Sequence, residues 1–162
     1  MLAFNPDCPM LPCKNHTHCI DTAIDKAEVL CRKNDLRFTE IRRTVLRLIW
    51  ANHEPAKAYD ILDQLKNEHM PAKPPTVYRA LDFLLENHFV HKLSSLNAYI
   101  GCPHPGEHSQ CYFLICNKCN KVQECCNQVL TEAVIYTTHT QHFKPKHTTL
   151  EIQGICQQCV QH

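Results

Sequence analysis

Apolar residues recur at helical spacing through the first half of the chain and at alternating spacing through much of the second. From Asp21, which can cap a helix, Ala23, Ala27, Leu30 and Cys31 fall on one face. Cys31 reads there as a small buried apolar residue, not a ligand. After a break at residues 34–37, Thr39 stands at the cap of a second helix. Its Ile41, Val45, Leu48 and Ile49 form an apolar stripe, with Arg42, Arg43 and Arg47 off it. Asn52-His-Glu-Pro55 ends that helix. A third, from about Lys57 to Asn67, turns Ala58, Ile61, Leu62 and Leu65 inward. The proline-rich connector 71–75 leads to a fourth, marked by Val77, Leu81, Leu84 and Leu85. Pro75 suits its first position, where an N–H would have no partner. The period then changes: residues 89–93 and 98–102 read as two strands joined by 94–97. Further strands are expected near 112–115, 121–124 and 147–155, with a helix at about 128–140 between the last two.

A short helix, a proline turn and a second amphipathic helix predict a helix-turn-helix, and the hairpin that follows predicts its wing. Thr76, Tyr78 and Arg79 fall in the first turns of the second helix, off its apolar stripe. Those positions reach base edges in the major groove, and Arg79 suits bidentate contact with guanine. Lys73 and the cluster Arg42, Arg43 and Arg47 are expected at phosphates. The fold class is therefore α+β: an N-terminal winged helix-turn-helix followed by a small α/β dimerisation domain. Its edge strand could pair with a second copy of the chain. The expected divisions are a disordered Cys/His/Pro-rich leader at 1–20, a DNA-binding domain at 21–101, a hinge at 102–110 and a dimerisation and zinc-binding domain at 111–162.

Charge adds little: 17 basic against 16 acidic side chains give a net +1, so any affinity for nucleic acid must come from local placement. No apolar stretch is long enough for a bilayer and no basic-then-apolar leader opens the chain, which predicts a cytoplasmic protein without a membrane partner. The 12 cysteines change the picture more. In the cytoplasm they are expected to stay reduced, many of them ligating metal. Cys116-Asn-Lys-Cys119 and Cys156-Gln-Gln-Cys159 are two Cys-x-x-Cys pairs, each expected in a turn beside a strand. Together they supply the four thiolates of a closed tetrahedral zinc site. The competing chemistry for such pairs is a thiol oxidoreductase or redox chaperone, which wants a cysteine of lowered pKa at a helix N-terminus. No serine elbow, phosphate loop or catalytic carboxylate pair is present, and the chain is not read as an enzyme.

From about Asp21 onward the sequence resembles the ferric uptake regulator family of metal-dependent transcription factors. The block from Lys73 to Glu86 (KPPTVYRALDFLLE), followed by Phe89 to Lys92, carries most of the resemblance. It looks most like the zinc uptake regulator branch, with an iron or peroxide sensor of the same family as the alternative. The resemblance implies a homodimer that binds double-stranded operator DNA when loaded with zinc, two ions per subunit, and represses zinc-uptake genes. It implies that Tyr59 joins Arg79 in reading the operator; spacing alone would not pick out Tyr59. It also implies a regulatory zinc site at His91, Cys102, His108 and Glu124. One thiolate, two imidazoles and a carboxylate suit tetrahedral zinc and disfavour manganese or magnesium. The gap from His108 to Cys116 is one residue longer than the branch's pattern, and His104 and Cys111 stand nearby as substitutes. The single histidines His53, His69 and His88 are expected at the surface.

Overall fold

The computed structural model describes residues 16–51, 54–70, 72–106, 111–145 and 148–160. Its contacts separate two compact units, one within residues 13–107 and one within 108–162.

The first unit opens with α1 (His16–Lys33). The helix starts five residues before the expected Asp21 cap, so residues 16–20 are helical and not part of a leader. The reason lies in the stripe: Ile24 packs on the core and Ile20 is half-buried one turn earlier, carrying the apolar face back beyond Asp21. Residues 1–15 lie outside the described part. Cys31 is buried, as read, and burial pushes its thiol above the ordinary range. In α2 (Glu40–Trp50) Thr39 takes the extended N-cap backbone, but its hydroxyl makes no capping bond; the Thr39 carbonyl instead accepts from the Arg43 amide. Val45, Leu46, Leu48 and Ile49 are buried there.

Helices α3 (Ala58–Asn67) and α4 (Pro74–Glu86) complete the helical layer. Helix α4 begins one residue earlier than expected, with both Pro74 and Pro75 in its first turn and Lys73 at the N-cap. Two residues without N–H are tolerated in a turn whose amides have no intrahelical acceptor. Leu65, Val77, Leu81 and Leu84 join Val45 and Ile49 in one core.

Strands β1 (Val90–Leu93) and β2 (Ala98–Gly101) then form an antiparallel hairpin, Val90 opposite Gly101 and Leu93 opposite Ala98. Asn97, at φ 47°, makes the left-handed step of its turn. The wing is tied back to the segment before α3 by a reciprocal pair of backbone bonds between Ala56 and Tyr99, each 2.8 Å.

The second unit is a sheet in the order β4-β3-β5, made by β3 (Cys111–Cys116), β4 (Val122–Cys126) and β5 (Leu150–Gly154). Strands β3 and β4 are antiparallel, while β5 runs parallel to β3. Between them α5 (Gln128–Thr140) is capped by Asn127, whose side chain accepts from the Val129 and Leu130 amides. Strand β5 is shorter than the expected 147–155, because pairing with β3 begins only at Tyr112 opposite Leu150. A one-turn helix, α6 (Gln157–Val160), follows.

Gly101 is the one glycine of the first unit's hairpin whose missing side chain is a packing requirement. A Cβ there would collide with the indole of Trp50. Gly101→Ala should therefore destabilise the chain by roughly 1–3 kcal/mol, the usual cost of overpacking. Thermal denaturation checks this, and an unchanged melting temperature would contradict it.

Candidate metal centres and nucleic-acid face

The four cysteines of the two pairs come together because β3 and β5 are parallel. Cys116 ends β3 and lies opposite Gly154 at the end of β5, so the segments leaving both strands emerge on the same side. The β3–β4 turn folds tightly, with the Asn120 amide donating to the Cys116 carbonyl and Asn120 at φ 58°. The Asn117 amide donates to the Gly154 carbonyl, which clamps this turn to the exit of β5. One thiolate-ligand atom from each of Cys116, Cys119, Cys156 and Cys159 then lies within 4.8 Å of all the others.

The expectation that both pairs sit in strand-flanking turns holds for the first alone. Cys156 immediately precedes α6 and Cys159 lies within it, because the Cys159 and Val160 amides fold back onto the Cys156 carbonyl. Helical placement therefore does not separate metal binding from thiol redox chemistry; the meeting of four sulfurs does. Cys116 is pulled down from the ordinary thiol range to about 6, chiefly by the Cys156 amide and then that of Cys119. The Cys156 nitrogen stands 3.3 Å from its Sγ. Cys159 is pushed up to about 12, because the Cys156 and Cys119 thiols hydrogen-bond its protonated form. Four adjacent sulfurs cannot all carry negative charge without a cation among them. The residues fit zinc: sulfurs bonded at about 2.3 Å to one tetrahedral ion stand about 3.8 Å apart. The separation between the Cys119 and Cys156 sulfurs is 3.8 Å.

The other expected ligands are partly described. His91 on β1 and Cys102 just beyond β2 share one face of the hairpin, since the Cys102 amide extends the ladder to the Phe89 carbonyl. Their ligand atoms lie within 4.8 Å, Cys102 buried and His91 half-buried. Glu124 is half-buried on β4, opposite Phe113. His108 lies outside the described residues, as do His53 and His147. His104 is exposed, and Cys111 is already engaged: it forms a disulfide with Cys126 across β3 and β4. This corrects the expectation that every thiol is reduced. The sequence alone did not show it: a hairpin centred on Cys116 and Cys119 would set Cys111 opposite Glu124, and the observed register is two residues off that pairing.

On the helix-turn-helix, Lys73, Tyr78 and Arg79 are exposed and Thr76 is half-buried, all on the first turns of α4 or its cap. Tyr59 is 73% exposed at the start of α3. The three arginines of α2, expected at phosphates, make contacts within the chain. Arg43 pairs with Glu28 and Glu40, and Arg47 with Glu68 at 2.5 Å. Arg42 stacks 3.5 Å over the Phe83 ring and donates to the Arg37 carbonyl. These contacts join α1, α3 and α4 to α2.

The Ferric uptake regulator family matches residues 33–153 of the chain. Over 138 residues, 84% of this chain and 80% of that protein, the sequence is 39% identical to the zinc uptake regulation protein of Escherichia coli (strain K12). The fold matches a zinc uptake regulator complexed with zinc and DNA at a TM-score of 0.81 and 36% identity, covering 88% of this chain and 95% of that one. It also matches holo XcZur at 0.80 and 38% identity, over 88% and 99% of the two chains. The peroxide operon regulator of Bacillus subtilis (strain 168) is 27% identical over 133 residues, 79% of this chain and 87% of that protein.

Closed structural zinc sites supply about 10–16 kcal/mol of apparent binding energy, as much as a small domain's whole stability. Cys116→Ser should therefore lower the zinc content by about one ion per chain and unfold the second unit. Emission spectroscopy and circular dichroism check this; a stable, zinc-free sheet would refute it.

Proposed function

The chain belongs to the ferric uptake regulator family, and on that premise we propose that it is a cytoplasmic, zinc-responsive transcriptional repressor. It binds operator DNA as a homodimer and controls zinc uptake. The observation that carries the zinc reading is the pairing of His91 with Cys102 on the wing hairpin, close behind the recognition helix. A thiolate and an imidazole select zinc over the harder divalent ions. The similarity to zinc uptake regulators, stronger than that to the peroxide regulator, points the same way.

The proposed regulatory set is His91, Cys102, His108 and Glu124, and the structural set is Cys116, Cys119, Cys156 and Cys159, two ions per subunit. Zinc, when bound, supplies a divalent charge that favours four-coordination and carries no redox activity. His91 and Cys102 belong to the winged helix, whereas Glu124 belongs to the sheet that follows. Residues of both units holding one ion would restrict the angle between them. In a dimer that angle sets the spacing of two α4 helices, which must be about 34 Å or a multiple to enter successive major grooves. Moving such an equilibrium from 1:99 to 99:1 takes about 5.5 kcal/mol of differential affinity.

The dimer reading is supported by apolar surface on the second unit. Helix α5 has no buried residue, and Val129, Ile135 and Tyr136 on it are exposed together with Phe143, as are Leu150 and Ile152 on edge strand β5. An apolar helix and an apolar sheet edge need a covering partner. A second copy of this chain covers both.

On the DNA, Arg79 is proposed to pair with guanine, with Tyr59, Thr76 and Tyr78 beside it and Lys73 at a phosphate. Arg79→Ala should cost roughly 1–3 kcal/mol of operator affinity and relax the preference for one base pair. A binding assay over single-base operator variants checks this. Cys102→Ser should keep the fold and the dimer yet lose zinc-dependent operator binding, read by gel shift against zinc concentration. An undiminished zinc response would remove Cys102 from the regulatory set.

A further inference from the structure

Cys111, Cys126 and Glu124 make a third group of metal-binding atoms that neither the structural nor the regulatory set uses as a unit. Register places them together: Cys111 is opposite Cys126, Phe113 is opposite Glu124, and Glu124 and Cys126 are two residues apart on β4. All three side chains therefore rise from one face of the β3–β4 hairpin. Their ligand atoms lie within 4.8 Å of one another, with Cys111 and Glu124 half-buried and Cys126 exposed. The two cysteine Cα atoms are 4.3 Å apart, the closer of the two spacings in an antiparallel pair. Two sulfurs on strands that near can form a disulfide, or can share one ion at the separation of about 3.8 Å that tetrahedral zinc requires.

We infer that this face is a redox-gated zinc site: the reduced thiols of Cys111 and Cys126, with the Glu124 carboxylate, hold a zinc ion, and oxidation to the Cys111–Cys126 disulfide closes the site. A small disulfide is the oxidant. One thiolate attacks it, forming a mixed disulfide and releasing one small thiol; the second thiolate displaces the other. Two electrons pass from the cysteine pair to the oxidant, and the ion is released because a disulfide sulfur is a poor ligand. Three donors become one, since Glu124 alone remains. In a reducing compartment the dithiol form prevails, and disulfides formed there are transient or sensory.

The site is separate from the regulatory reading, although Glu124 serves both, so the test is made where the regulatory thiolate is gone. Zinc is counted on the full chain carrying Cys102→Ser, reduced with a phosphine and freed of loose metal. That protein should hold about one more zinc per chain than the same chain with Cys111→Ser and Cys126→Ser added. Treatment with oxidised glutathione should remove the difference and yield a Cys111–Cys126 cross-link in peptide maps. Equal zinc in the two reduced proteins, or an unchanged count once the cross-link has formed, would overturn the inference. The unsubstituted reduced chain gives a second readout: zinc should protect Cys111 and Cys126 from alkylation, and equal labelling with and without zinc would overturn it as well. Operator binding is not read in either experiment, so failure of the regulatory assignment leaves both outcomes unchanged.

Discussion

The parallel pairing of β3 with β5 is the constraint on which the second half of the molecule depends. With Cys116 opposite Gly154, the two Cys-x-x-Cys segments leave the sheet side by side although about forty positions separate them. An antiparallel pairing would send them to opposite ends. A one-residue slip would turn every side chain of β5 to the other face. The sheet carries few buried side chains, chiefly Phe113, Ile115, Cys116 and Cys125, so apolar burial alone is a weak restraint on this register. Four sulfurs around one zinc ion would fix the same alignment with far more energy than those side chains provide.

The winged helix is held differently. Its core is continuous through α1 to α4 and the hairpin. Polar links reinforce it where sequence separation is large: Arg43 to Glu28, Arg47 to Glu68, and the Ala56–Tyr99 backbone pair. These exposed or half-exposed ion pairs contribute little energy each, but they orient α2 against α1 and α3. The arginines of α2 tie α1, α3 and α4 together, while Lys73, Arg79, Tyr59 and Tyr78 stand exposed on the same unit.

Glu124 stands where two kinds of chemistry meet. It shares a strand face with a cysteine pair that can exist as dithiol or disulfide, and it is the carboxylate of the proposed regulatory set. A strand with donors at every second position can present them to one ion or another without moving its backbone. In that arrangement the two proposed sites would draw on one carboxylate.

Local pattern alone determined the helix-turn-helix, its wing and the two cysteine pairs. Helical and alternating periods are properties of short windows, and Cys-x-x-Cys is a ligand spacing within a single turn. The resemblance of residues 73–86 supplied what no window could, such as Tyr59. The start of α1 escaped the sequence reading because Ile20 and Ile24 reveal their face only against a core assembled from elsewhere. The engagement of Arg42, Arg43 and Arg47 was hidden for a similar reason: Glu28 and Phe83 lie on other helices and Glu68 caps the end of α3. The bond between Cys111 and Cys126, the meeting of Cys116 with Cys156, and the approach of His91 to Cys102 all required strand registers. Register is decided by pairing between segments distant in the chain, so only the tertiary structure could say which donors face one another.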